Sequence, residues 1–324
     1  MKLFETSITK KDVDIISGVL MSGELGFGQN VSVFEDRFKS FSNKSYNIAT
    51  NSASASAYII FDYLYEIYGS CDVFTTSLGF TSPVYAALSF GHNIIFVDVD
   101  NELQFDIQDY KKKKHLKMND ISVMMPVLYG GVSNIKGFDN FYKSREKEEI
   151  IVVDSAHCVT PTIMCDFIFF SFHPYKPICT SDGGMISTND SLANEYMRNY
   201  RNFGRVSLGD TYDIVQRGFK FYMNNLNATI GLTQLDSYRE KLDIRIKNYN
   251  KLGDKYNLLK HDINSSYYFA TTLTSDANSI IKKTGLSRHY PMLHKTQFYE
   301  NGQNLPNLES LHSQILNLPL YCEF

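Results

Sequence analysis

The sequence predicts an α/β fold, with a mostly parallel sheet between helices in a large domain and a smaller C-terminal α+β domain. Two observations predict it. Short apolar runs alternate with helical patterns through the N-terminal two thirds of the 324 residues, and the alternation stops after Asp190. Strand–helix alternation implies a parallel sheet covered on both faces. Right-handed crossovers then bring the strand C-termini, and the loops after them, to one edge.

Each element follows from its local pattern. The chain opens on a strand-like MKLFETS stretch, without the features of a secretory signal, and continues into an amphipathic helix. Strands are expected at Tyr46–Thr50, Val73–Thr75, Asn93–Val99, Ile121–Leu128 and Ile150–Val153. Helices are expected between them at Ala53–Tyr68, Pro83–Phe90, Ile107–Lys113 and Phe138–Lys147. Phe167–Phe170 and Met185–Ser187 are two further apolar runs. Leu192–Asn202 reads as a helix, and Leu226–Tyr256 as one long helix or two in series. From Leu258 onward the apolar runs are short: Tyr267–Leu273, Ile280–Lys283 and Leu316–Leu320. The expected division is a large domain over residues 1–245 and a small one over 246–324.

Composition excludes several classes. Hydrophobic residues at 43% and charged residues at 21% are those of a soluble globular enzyme. A net charge of −3, with Lys111–Lys114 as the only lysine run, gives no nucleic-acid surface. No apolar stretch approaches the roughly 20 residues of a membrane span. The five cysteines (Cys71, Cys158, Cys165, Cys179, Cys322) have no CxxC spacing, so no metal site is expected. Their scatter fits a reduced, cytoplasmic chain.

Candidate chemistry concentrates between Ile150 and Thr188. One apolar strand delivers Asp154, a second delivers Ser171, His173 and Lys176, and a third follows Gly183-Gly184. A carboxylate, a hydroxyl and an amine at one sheet edge are the set that pyridoxal phosphate requires. Lys176 is either a surface loop lysine or, desolvated, a usable nucleophile and proton carrier. Asp154 is either a cap or the partner of a pyridine nitrogen. His157 is either a satisfied loop histidine or a contact to the cofactor ring. Asn51-Ser52-Ala53-Ser54-Ala55-Ser56 follows a strand and opens a helix. Small hydroxyl residues there are caps first, but the same helix end suits a phosphate. Phe80 is either core or a ring that stacks on the pyridine.

These residues resemble the DegT/DnrJ/EryC1/StrS family of pyridoxal-phosphate-dependent nucleotide-sugar aminotransferases. The likeness runs in family order along nearly the whole chain. It includes Gly23-Glu24-Leu25-Gly26-Phe27-Gly28, Phe96-Val97-Asp98-Val99-Asp100, Val153-Asp154-Ser155-Ala156-His157 and Ser171-Phe172-His173-Pro174-Tyr175-Lys176. Arg201-Asn202-Phe203-Gly204, His289-Tyr290-Pro291-Met292-Leu293-His294 and Leu318-Pro319-Leu320-Tyr321 continue it.

The resemblance implies a fold-type I aminotransferase and a homodimer with shared active sites. It makes Lys176 the lysine that bonds the cofactor, Asp154 the pyridinium partner and His157 a ring contact. It puts Ser171 and the Ala53-Ser54 turn on the phosphate, Phe80 over the ring, and Lys220 on the phosphate of the neighbouring subunit's cofactor. Arg288, His289 and His294 lie where family members meet the sugar nucleotide. The implied reaction moves an amino group from glutamate or glutamine to a keto group of a nucleotide-linked deoxysugar, for polysaccharide or O-antigen synthesis.

Three departures stand out. The family's Ser-Gly-Thr phosphate turn is Asn51-Ser52-Ala53, with Ser54 or Ser56 as substitutes for the lost hydroxyl. Tyr222 occupies a place where a basic or amide residue is common. The segment between Tyr256 and Arg288 is short, and the sequence stops just after Leu318–Tyr321, so a reduced small domain is expected. Alternatives are a related sugar dehydratase or lyase, and a cofactor-binding sensor without turnover. The family's dehydratases carry histidine in place of the lysine, so Lys176 argues against the first. The sensor lacks an output element.

Overall fold

The structure, a computed structural model, describes residues 2–6, 8–299 and 302–321. Cys322 lies outside the described residues. In chain order the elements are α1 (Lys10–Ser22), α2 (Gln29–Ser42), β1 (Tyr46–Thr50), α3 (Ala53–Tyr68), β2 (Asp72–Thr76), α4 (Ser82–Leu88), β3 (Asn93–Val97), α5 (Ile107–Lys113), β4 (Ser122–Met125) and α6 (Phe138–Ser144). They continue as β5 (Glu149–Asp154), β6 (Phe167–Ser171), β7 (Gly184–Thr188), α7 (Ser191–Tyr200), β8 (Arg205–Ser207), β9 (Tyr212–Ile214), α8 (Asn225–Gly253), β10 (Ala270–Leu273), α9 (Ala277–Thr284), α10 (Pro306–His312) and β11 (Ile315–Leu318).

Seven strands form one sheet in the order β1-β7-β6-β5-β4-β2-β3. Pairings among β2, β3, β4, β5 and β6 are parallel. β7 is antiparallel to both β1 and β6, so its first residue lies at the edge where the other strands end. The sheet is thus mostly parallel, as expected, with β7 as the strand that runs against its neighbours. The register brings Thr50, Ser171 and Gly184 side by side, since Gly184 pairs with both. The central strands are buried on both faces, which is why they read as continuous apolar runs.

Local chemistry sets the helix ends. Thr9 and Asp12 form a reciprocal capping box on α1, and Gly23 closes it with a left-handed φ of 76°. Ser52 caps α3, its side chain accepting from Ala55 N. α8 is a single helix of 29 residues. It crosses α2 where Gly231 meets Phe34, and a methyl group there would come within 2.7 Å of the ring.

Four other differences from the expected elements have physical reasons. The described N-terminal residues form no strand; Leu3 is buried and Phe4 packs on other rings instead. The Tyr267–Leu273 run pairs only from Ala270: Tyr267 has a left-handed φ of 47°, and Tyr268 lines a cavity. The β8–β9 hairpin was not expected: Val206, Leu208, Tyr212 and Ile214 alternate with polar residues on either side of Gly209, but each strand has only 3 residues. α10 starts at Pro306, which suits a first helical turn.

Candidate active site

A cavity of about 340 Å³ opens at the edge where β5 and β6 end and β7 begins. Its floor is the start of α3. Ser52, Ala53 and Ser54 line it, and the N–H groups of Ala53 and Ser54 belong to the unpaired first turn of a helix. The helix dipole adds partial positive charge there. Ala53 is helical, so the position needs no glycine. Ser56 is spent inside, 2.6 Å from Thr50 Oγ1, and does not replace the lost hydroxyl. Ser54, which lines the cavity, is the remaining candidate. Asn51 ties the turn to the segment before α8, its N–H donating to Phe221 O and its amide to Lys220 O.

Gly184 holds β7 against this turn. A Cβ on Gly184 would lie 2.5 Å from Ser52 C and O and 2.6 Å from Ala53 N. All three are backbone atoms, so only glycine permits the approach.

Asp154 ends β5 and is buried. Its Oδ1 accepts from Ala156 N at 2.9 Å, the only hydrogen bond to the carboxylate among the described residues. Burial pushes its proton affinity up, opposed by that N–H and by Lys176. Lys176 sits in the turn after β6, where its N–H donates to His173 O. Burial holds its amine below the usual lysine range, and Asp154 opposes the shift. Lys176 Nζ lies 4.6 Å from the Tyr268 ring centroid. His157 follows Asp154 in a turn closed by Cys158 N donating to Ser155 O. Its Nε2 is 2.8 Å from Tyr290 Oη, while its buried Nδ1 has no partner. Burial, then Lys176 and His289, keep this imidazole neutral well below its ordinary range. Ser171 lines the same cavity, and Phe80 lines it while 58% exposed, its ring edge-on to Tyr290.

The remaining expected residues divide. His289 lines the cavity. Arg288 does not: its guanidinium donates to Ile315 O, Ser313 O and Asn278 Oδ1, which ties it to β11, the end of α10 and α9. Nor does His294, buried between Ser77 Oγ at 2.7 Å and Glu309 Oε1 at 3.1 Å. Both lie apart from the cavity because their polar groups are already paired inside the protein. Lys220 lies outside the cavity and is exposed. Phe4, Tyr175, Tyr268 and Tyr290 line the cavity without having been singled out. Tyr290 lies within a quoted motif, whereas Phe4 and Tyr268 sit in apolar runs indistinguishable from core.

An amine and a carboxylate sharing an enclosed cavity, above a helix end built for an anion, define an α/β enzyme equipped for carbonyl–amine chemistry. The comparisons with known proteins agree. The chain belongs to the DegT/DnrJ/EryC1/StrS aminotransferase family, whose model matches residues 6–324. It is 26% identical over 312 residues to the UDP-4-amino-4,6-dideoxy-N-acetyl-beta-L-altrosamine transaminase of Campylobacter jejuni, covering 92% of this chain and 78% of that one. It is also 26% identical to the GDP-perosamine synthase of Escherichia coli O157:H7, covering 98% and 93%. Among solved structures it resembles Helicobacter pylori PseC, an aminotransferase involved in the biosynthesis of pseudoaminic acid. The TM-score is 0.87 at 22% identity, over 98% of this chain and 92% of that one. The fold is thus that of the aminotransferases. Among the described residues no helix is long and apolar enough to cross a membrane.

Pyridoxal phosphate fits the residues present. The α3 start and Ser54 suit its phosphate, and the free edge of the Asp154 carboxylate suits its ring nitrogen. The unpartnered His157 Nδ1 is a polar atom that such a ligand explains.

Proposed function

We propose that this chain is a pyridoxal-phosphate-dependent aminotransferase that moves an amino group from glutamate or glutamine to a keto group of a nucleotide-linked deoxysugar. The observation that carries the reading is the convergence of Lys176, Asp154, His157 and the α3 start on one cavity. The names of the UDP-sugar and GDP-sugar relatives support the substrate class. The bound cofactor supplies an electron sink for the carbon that loses its proton.

The chain's own residues do the rest. The Asp154 carboxylate holds a proton on the ring nitrogen, and its low-dielectric seat strengthens that bond. The Ala53 and Ser54 N–H groups, with the Ser54 and Ser171 hydroxyls, hold the phosphate. Phe80 presents a ring to stack on the pyridine. His157 stays neutral, so it hydrogen-bonds without adding a positive charge beside Lys176. Lys176 is the residue whose amine would hold the cofactor. Once free, Lys176 Nζ would take the proton from the donor α-carbon and return it, as general base and then acid. The shift of its amine toward neutrality serves that role. His289 is the expected contact to the sugar nucleotide.

The working form in this reading is a homodimer, in which Lys220 reaches the partner's phosphate; its exposure outside its own cavity supports this. Residues 1–245 hold the cofactor and 246–324 close the substrate side. The setting in this reading is cytoplasmic synthesis of a surface polysaccharide.

The test is an absorbance spectrum with pyridoxal phosphate, before and after L-glutamate, beside Lys176→Ala. The expected result is a band that glutamate converts to the pyridoxamine form and that the variant does not form. A panel of nucleotide keto sugars then identifies the acceptor. A wild-type band indifferent to glutamate and to glutamine would overturn the proposed donor.

A further inference from the structure

We propose that Tyr268 is a positioning residue for Lys176: its ring face holds the lysine ammonium and sets the pH at which the free amine becomes available. None of the roles assigned above uses Tyr268. The two residues arrive from different parts of the chain, Lys176 in the turn after β6 and Tyr268 in the loop before β10. Their contact is a cation–π geometry, with Nζ 4.6 Å from the ring centroid.

The ring is fixed rather than adaptable. Phe4 stacks on it at 4.5 Å with an interplanar angle of 13°, and His157 packs at 4.5 Å. Tyr268 is only 7% exposed. Its backbone N–H donates to Gly130 O, and the Ser266 N–H donates to Gly131 O, which pins the loop. Among the described residues its hydroxyl has no hydrogen-bond partner, so hydroxyl bonding does not set its orientation.

The electrostatic setting leaves the ring a role. The groups around the amine are the Asp154 and Asp182 carboxylates and the imidazoles of His157, His173 and His289, with the phenols of Tyr175 and Tyr290. All three imidazoles are shifted down, burial being the largest cause in each, so they add no charge at neutral pH. Burial favours the neutral amine, while Asp154 favours the ammonium. The Tyr268 ring favours the ammonium as well, through the negative potential of its face. Removing it therefore frees the amine at lower pH.

The test uses cofactor-free protein. Competitive labelling of Lys176 with acetic anhydride across pH, read by peptide mass spectrometry, reports the protonation midpoint of that amine. Tyr268→Leu is expected to lower the midpoint by about half to one pH unit, roughly a three- to tenfold change in the protonation constant. Tyr268→Phe is expected to keep it, because the ring remains. Phenylalanines of increasing fluorination at this position preserve shape and weaken the ring's negative face, so the midpoint should fall with each fluorine. An unchanged midpoint in the leucine variant, an equal fall in Tyr268→Phe, or a flat fluorination series would overturn the proposal. The series decides the question even where the leucine variant does not fold.

This inference deepens the cofactor reading, but the two fail separately. A wild-type protein that forms no band with pyridoxal phosphate would end that reading while the labelling midpoints still judge Tyr268.

Discussion

Replacing Gly184 by alanine tests whether the junction of β7 with the α3 start is what shapes the phosphate cradle. The added Cβ would lie 2.5–2.6 Å from three backbone atoms of Ser52 and Ala53. Ordinary contact needs about 1 Å more, and no flexible side chain is present to yield it. Gly184 is also paired with Thr50 and Ser171, so the strand cannot retreat without breaking both ladders. The helix start must therefore move. Overpacking of this kind costs about 1–3 kcal/mol of stability, and a displacement near 1 Å at a binding constellation costs on the order of 100-fold in function. The assay is a titration with pyridoxal phosphate followed by absorbance, beside urea unfolding of the cofactor-free protein. Expected are a dissociation constant weakened about 10- to 100-fold and a loss of about 1–3 kcal/mol. A variant that binds pyridoxal phosphate within twofold of wild type would show that the approach of β7 does not shape the cradle.

Three further outcomes are expected. Asp154→Asn removes the carboxylate that favours the Lys176 ammonium, so the amine should become free at lower pH, read by the same labelling titration. Glu35→Ala strips the buried acceptor of Arg201, Arg198 and the Ala49 N–H. It should cost about 3–5 kcal/mol in urea unfolding; a loss under about 1 kcal/mol would mean that solvent repairs the gap. His261 is lowered by burial to about 4 from 6.5, so the folded form resists protonation. Its contribution is complete above pH 6.5 and is lost as the pH falls toward 4, a span of about 3 kcal/mol. His261→Gln should flatten the stability–pH curve of the cofactor-free protein across that window.

Much of the site was legible because it lies on chemistry-bearing residues at strand ends. Asp154 and Ser171 each terminate a strand, and an ionisable or hydroxyl group after a continuous apolar run has few purely structural uses there. α3 and α5 read correctly to the residue, since caps and apolar spacing coincide. The reversed direction of β7 was not legible, because a strand buried on both faces carries no mark of its direction. The paired states of Arg288 and His294 depend on backbone carbonyls and a carboxylate brought in by the fold, and no local pattern reports those. Phe4 and Tyr268 were hidden for the opposite reason. An aromatic that faces a cavity and one that faces the core look alike in one dimension, and only the folded cavity separates them.

The reversal of β7 has a consequence for how the protein is made. Within the sheet β1 pairs only with β7, yet it leaves the ribosome long before Gly184 exists. Until then its backbone groups are an open template for another chain, the exposed-edge hazard that nascent proteins meet by delay or by chaperone. The contact that finally covers it is also the one that completes the anion seat. Capture of pyridoxal phosphate should thus be a late event in folding, and a ligand added during refolding would report the moment at which β1 meets β7.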